Sequence, residues 1–234
     1  MRGPAARLRR LALALGLAVA GCVADEREAS PAASPAAVVS DVVAAHPDAD
    51  PIGFAAVPGY GVERTVGGRG GPTIRVHDAD DLRRLARSAG PLVIQVAGTI
   101  AVPRLDVTSR KTLRGLPGAK LLGGIRVRDA HDVVLQDLLV DASEAASDGI
   151  EVTGSHHVWI DHCEVRDAPD GNIDIVRGSD LVTVSWTVVR YTDAAAAPDH
   201  RYACLIGNRP DAPEDRGKLR VTLHHVWWAD GVRA

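Results

Sequence analysis

Residues 158–186 read VWIDHCEVRDAPDGNIDIVRGSDLVTVSW, and the repeat inside this stretch decides the architecture. VWIDH (158–162) and VTVSW (182–186) each alternate an aliphatic residue with a variable one, the period of a strand. The same block recurs outward from them, as VVLQD (133–137), VTLHH (221–225) and KTLRG (111–115). Three of these blocks start at 133, 158 and 182, spacings of 25 and 24 residues. A second block precedes each of the three: GIRV (124–127), GIEV (149–152) and NIDI (172–175). The 39-residue gap from 182 to 221 puts an insertion in one coil, with TDAAAAPDHRY and NRPDAPEDRG as its loops. A parallel α/β sheet needs crossover helices, and these spacings leave no room for them. The pattern therefore predicts a solenoid of parallel β coils, each burying its inward aliphatics on the next.

Composition fits such coils. The 234 residues are 46% hydrophobic but only 3% aromatic, so the core must come from Val, Ile, Leu and Ala. Such side chains pack well in regular strand layers. The 23 Gly and 14 Pro supply turns. One helix is expected, DADDLRRLARSAG over 78–90, with Asp78 as its cap and Leu82, Leu85 and Ala86 on one stripe. Laid on the first coil, it would cover an open strand edge. A net charge of −3 gives no electrostatic footprint for a nucleic-acid partner.

Ahead of the repeats, Arg2, Arg7, Arg9 and Arg10 precede LALALGLAVA (11–20). This apolar run is too short to span a bilayer comfortably and reads as an export signal. It ends in Val19-Ala20-Gly21-Cys22, which is similar to a bacterial lipobox, whose Cys carries lipid. An ordinary secretory signal with a chance Cys is the other reading. The expected division is a lipoprotein signal over 1–21, lipidated Cys22 with a flexible tether over 22–52, and a β-helix domain over 53–234. The protein is expected to be exported, held at a membrane only through its lipid or secreted, and monomeric. Export permits a disulfide between Cys163 and Cys204; two buried thiols are the alternative.

Three carboxylates stand out as chemistry-bearing. Asp170 and Asp174 lie between the two strand blocks of the opening stretch, and Asp148 lies upstream in SDGIEV. Carboxylates on neighbouring strands and turns are the hard oxygen donors that calcium takes. Read alone, Asp170-Gly171 is also a good turn pair. The surrounding blocks come in a characteristic order: GFAAV (53–57), TVGGRGG (65–71), PLVIQVAGTI (91–100), SRKTLRG (109–115), DGIEVTGSHHVWIDH (148–162), DGNIDIVRGSDLVTVSW (170–186), DHRYACLIGN (199–208) and GKLRVTLHHVWW (217–228). Over residues 53–234 this order resembles the pectate lyase family.

The resemblance implies an all-β, right-handed parallel β-helix with an N-terminal capping helix, incomplete at its C-terminal end. It also implies calcium-dependent cleavage of an acidic polysaccharide, pectate (polygalacturonate), by β-elimination. Asp148, Asp170 and Asp174 fall on the family's calcium ligands, while Ala146 stands where some members carry a further acid. Arg201 falls where members carry a basic residue for the substrate carboxylate; a solvated loop arginine is the alternative. The catalytic arginine of the family aligns one residue beyond Ala234, which leaves Arg233 as the nearest candidate base or as a surface residue. A calcium- and carbohydrate-binding β-helix without that base is the alternative function. Val226 replaces an Asn that members often stack inside the coil.

His156-His157, His224-His225 and His162 raise a zinc reading. Adjacent side chains on a strand point to opposite faces, and no H-E-x-x-H occurs, so zinc is not expected. By the same rule Trp227 and Trp228 diverge, with one ring buried.

Overall fold

The computed structural model describes residues 50–192 and 200–233, which fall in one compact unit. The expected signal, Cys22 and the tether as far as residue 49 lie outside the described residues. The strands are β1 (Thr73–Val76), β2 (Leu92–Val96), β3 (Thr99–Val107), β4 (Lys111–Gly115), β5 (Lys120–Arg128), β6 (His131–Gln136), β7 (Leu139–Asp141), β8 (Ile150–Thr153), β9 (His156–Asp161), β10 (Glu164–Arg166), β11 (Gly171–Val176), β12 (Asp180–Ser185), β13 (Val188–Arg190), β14 (Tyr202–Ile206), β15 (Val221–His224) and β16 (Trp227–Trp228). One sheet orders them β1-β2-β4-β6-β9-β12-β15; the other runs β14-β11-β8-β5-β7-β10-β13-β16, with β3 against β5. The strand pairings are parallel, so the chain winds as a right-handed parallel β-helix. The long β5 serves two strips of the coil, pairing β7 through Lys120–Leu122 and β8 through Ile125–Arg128.

Register explains the core. Ile94, Leu113, Leu135, Ile160 and Val184 are successive partners along the first sheet, and each is at most 1% exposed. Leu105, Ile125, Ile150 and Ile173 form the matching stack on the second. Each such side chain contributes roughly 1.5–3 kcal/mol by burial. The expected 25-residue period is thus the length of one turn of the coil.

Each coil turns its corners through left-handed residues. Asp137, His162, Trp186 and His225 occupy one corner with φ of 56°, 49°, 48° and 53°. The next residues, Leu138, Cys163, Thr187 and Val226, succeed one another along the helix axis. This corner stack is thus mixed: Cys163 Sγ reaches the Leu135 and Asp161 carbonyls, and Thr187 donates to the Ser185 carbonyl. At another corner, Ser155 Oγ accepts from Ala130 N, and Ser179 Oγ accepts from Ser155 N.

The helix is shorter than expected. It spans Ala79–Ala86, capped by Asp78, whose carboxylate accepts from the amides of Asp80 and Asp81. Ser88 Oγ donates to the Leu85 carbonyl, and Gly90 takes φ 80° to turn the chain into β2, so 87–90 leave the helix. Leu82, Leu85 and Ala86 are buried against the first strands. The N-terminal arm lies on the first sheet. Ala55 N donates to Thr183 Oγ1, Val66 and Gly67 amides share Asp132 Oδ1, and Tyr60 OH donates to Asp180 Oδ2. Asp50–Ile52, expected as the end of the tether, already belong to the fold: Asp50 pairs with Arg64 and Arg69, and the Ile52 carbonyl accepts from Thr183 Oγ1.

Two local expectations fail. His157 and His225 have positive φ, which breaks strand alternation, so the rings of each adjacent pair meet at Nδ1 to Nδ1 distances of 2.9 and 2.8 Å. Neither Trp227 (66% exposed) nor Trp228 (40%) is buried, because no described strand packs beyond β16. The thiols of Cys163 and Cys204 are free. Among the described residues, no helix is long and apolar enough to cross a membrane.

Ile160 sits mid-stack with no exposure. Ile160→Ala is expected to lower unfolding free energy by about 2–5 kcal/mol, measured by denaturant titration.

Candidate metal centre

The second sheet brings together carboxylates from two successive coils. β8 and β11 pair in register, with Glu151 opposite Asp174 and Ile150 opposite Ile173. Inward Ile and outward acid alternate on both strands, so Glu151 and Asp174 stand side by side on the outer face. Asp148 precedes β8 and Asp170 precedes β11. All four line one cavity of about 510 Å³, together with Ser147 and Asn208. Gly171 leaves the space between them open. A Cβ there would lie 2.6 Å from Asp174 Oδ1 and 3.6 Å from Asp148 Oδ1.

The electrostatics are unfavourable as they stand. Burial, then the fields of Asp148, Asp170 and Glu151, push the Asp174 carboxyl up to about 7. Burial also raises Asp148, against a hydrogen bond from Ser147 Oγ and with the charges of Asp170 and Glu151. Asp148 Oδ1 and Asp174 Oδ1 are buried without a hydrogen-bond partner. Two orphaned carboxylate oxygens facing one gap are what a hard cation would satisfy, so the residues fit calcium. No three His, Cys, Asp or Glu side chains among the described residues converge closely enough to form a ready-made cage. A cation there would take only part of its coordination sphere from these side chains, and other oxygens would complete it.

The remaining candidates are placed as follows. Gly171 pairs with Tyr202 of β14, so Arg201 sits one coil on from Asp170. Arg201 Nε is buried without a partner. Arg233 is one coil further: it bridges Tyr202, and its amide donates to the Arg201 carbonyl at 2.7 Å. The Arg233 side chain lines a separate, largely apolar cavity of about 370 Å³ with Trp228, Leu223 and Ile206. Ala146 is exposed, and its amide donates to the Pro103 carbonyl. The five histidines named above lie away from the acids; His162 Nδ1 contacts Asp161 Oδ2 at 2.8 Å. Sequence reading missed Glu151, although laying GIEV on NIDI puts it opposite Asp174. It also missed Asn208, which the inserted loop brings to the cavity.

The acid-lined cavity thus opens on the outer face of a parallel β-helix. A family model described as pectate lyase matches residues 48–233, and the chain belongs to that family. It is 33% identical over 213 residues to a pectate trisaccharide-lyase of Thermotoga maritima, covering 84% of this chain and 56% of the relative. It is 33% identical over 189 residues to a pectate lyase of Emericella nidulans, covering 76% and 54%. A solved pectate lyase from a Bacillus species, in complex with trigalacturonate, superposes with TM-score 0.61 at 27% identity, covering 75% of this chain and 60% of that one. A Bacillus subtilis pectate lyase at 17% identity and TM-score 0.60 covers 76% and 67% and shares the fold. The chain spans little more than half the length of the curated relatives it matches.

A carboxyl raised in the fold binds its proton more tightly there than in the unfolded chain. Stability is therefore present at low pH and lost as pH rises from the ordinary 3.8 through about 7. Without divalent cations, the melting temperature is expected to fall across that window. Added calcium should abolish the fall, and Asp174→Asn should remove both effects.

Proposed function

We propose that the protein is a calcium-dependent lyase that cleaves pectate by β-elimination. The observation that carries this reading is the pair of buried, unpartnered oxygens, Asp148 Oδ1 and Asp174 Oδ1, opening on one cavity. Calcium held there by Asp148, Asp170 and Asp174 would bind a uronate carboxylate and draw electron density from the carbon beside it. In the reaction that carbon loses its proton, the bond to the glycosidic oxygen breaks, a carbon–carbon double bond forms, and the departing oxygen gains a proton. Arg201 is assigned the neighbouring substrate carboxylate, which a planar guanidinium can grip with two hydrogen bonds. Its buried, unpartnered Nε supports that role. Arg233 lines a largely apolar cavity and is assigned no part in proton abstraction.

Few protein ligands and an exposed groove predict weak calcium binding alone, with Kd roughly 10⁻⁴–10⁻³ M. Polygalacturonate should tighten it, because the polymer supplies missing oxygens. Isothermal titration calorimetry checks this, and Asp174→Asn is expected to abolish both the binding and the formation of unsaturated uronate. Equal calcium binding by Asp174→Asn would sink the reading.

Export and lipid attachment at Cys22 belong to the same proposal, supported by the apolar run that ends in Val19-Ala20-Gly21-Cys22. Labelled fatty acid should enter the full chain expressed in a bacterium, and Cys22→Ser should prevent it.

A further inference from the structure

Arg177 lines the acid cavity one residue beyond the end of β11. It is exposed and makes no hydrogen bond or ion pair among the described residues, though four carboxylates share its cavity. Other arginines of this face are engaged: Arg126 holds Asp106, and Arg166 holds Asp141. Its backbone holds one of the left-handed corners of the coil. Asp129, Gly154 and Arg177 hold the same corner on successive coils, with φ of 48°, 59° and 55°. Glycine and aspartate enter this left-handed region readily; a long cationic residue does so at a cost. An exposed guanidinium without a partner, on the wall of a cavity lined by four carboxylates, is free to meet an anion that enters with a cation.

We propose that Arg177 binds a second carboxylate of the polyuronate, on an unesterified unit other than the one held at the metal. This inference rests on the calcium–polyuronate reading. Two residues, Ile175 and Val176, separate Asp174 from Arg177, so their backbones lie about 10 Å apart, and a polymer that reaches both can offer each a different carboxylate. The cavity then presents a cation site followed by a fixed guanidinium, and it discriminates against chains whose next carboxyl is esterified. Asn208, brought alongside by the inserted loop, adds a neutral hydrogen-bonding group to the same wall.

Arg177→Gly separates this role from a structural one, because glycine suits φ 55°. The readout is calorimetric affinity for hexagalacturonate in saturating calcium, with calcium affinity in the absence of sugar and melting temperature measured alongside. The expected result is an affinity about tenfold weaker, with calcium affinity unchanged and melting temperature unchanged or raised. Arg177→Lys should recover part of the loss, since it restores charge but not the two-pronged grip. Wild-type affinity in Arg177→Gly would overturn the inference while leaving the calcium–polyuronate reading intact. So would a loss accompanied by lower melting temperature or weaker calcium binding, which would make Arg177 structural. If the wild-type chain fails to bind hexagalacturonate with calcium, the underlying reading falls and this inference falls with it.

Discussion

Everything in this molecule follows from stacking coils in parallel register. Neighbouring strands lie about 4.8 Å apart, so each residue faces its counterpart one coil away. For Ile94, Leu113, Leu135, Ile160 and Val184 that rule builds a continuous apolar column. For charged residues the same rule is dangerous. It can be made neutral by alternation, as where Asp106 stands beside Arg126 and Arg126 beside Glu151 on the outer face. It can also be left unbalanced, as where Glu151 meets Asp174.

That unbalanced step is where stability and function part company. Acids from two successive coils, Asp148 and Glu151 with Asp170 and Asp174, are pressed into one cavity, and burial together with mutual repulsion lifts Asp174 to about 7. A fold selected only for stability would replace Asp174 or pair it, as Glu151 is paired with Arg128 at 3.7 Å. Here Gly171 instead keeps the gap open, since any side chain would collide with Asp174 Oδ1. The local cost becomes intelligible when a divalent cation and an anionic polymer share the groove, each neutralising the other's surroundings. Arg201 and Arg177, one placed by the coil beyond Asp170 and the other by the corner after β11, would extend that logic along an anionic polymer.

How much was legible in the sequence depended on period. KTLRG is β4 to the residue, and VWIDH, VTVSW and VTLHH begin within two residues of the strands they forecast. The third strip of each coil was invisible, because Leu139–Asp141, Glu164–Arg166, Val188–Arg190 and Trp227–Trp228 are too short to show an alternation. Left-handed corners were invisible for a different reason. Histidine, tryptophan and arginine do not announce a positive φ, so His157 and His225 misled the reading of their ring directions. The three aspartates could be named from their motifs. Glu151 was readable from the repeat itself, and Arg177 was not, because its significance lies in a missing partner.

The most direct test of the central claim is a crystal structure of the chain soaked with calcium and a galacturonate oligomer. The account predicts a cation bonded to Asp148 Oδ1 and Asp174 Oδ1, with a sugar carboxylate completing its shell. Carboxylates that stay unbound, with the oligomer seated elsewhere on the coil, would contradict it.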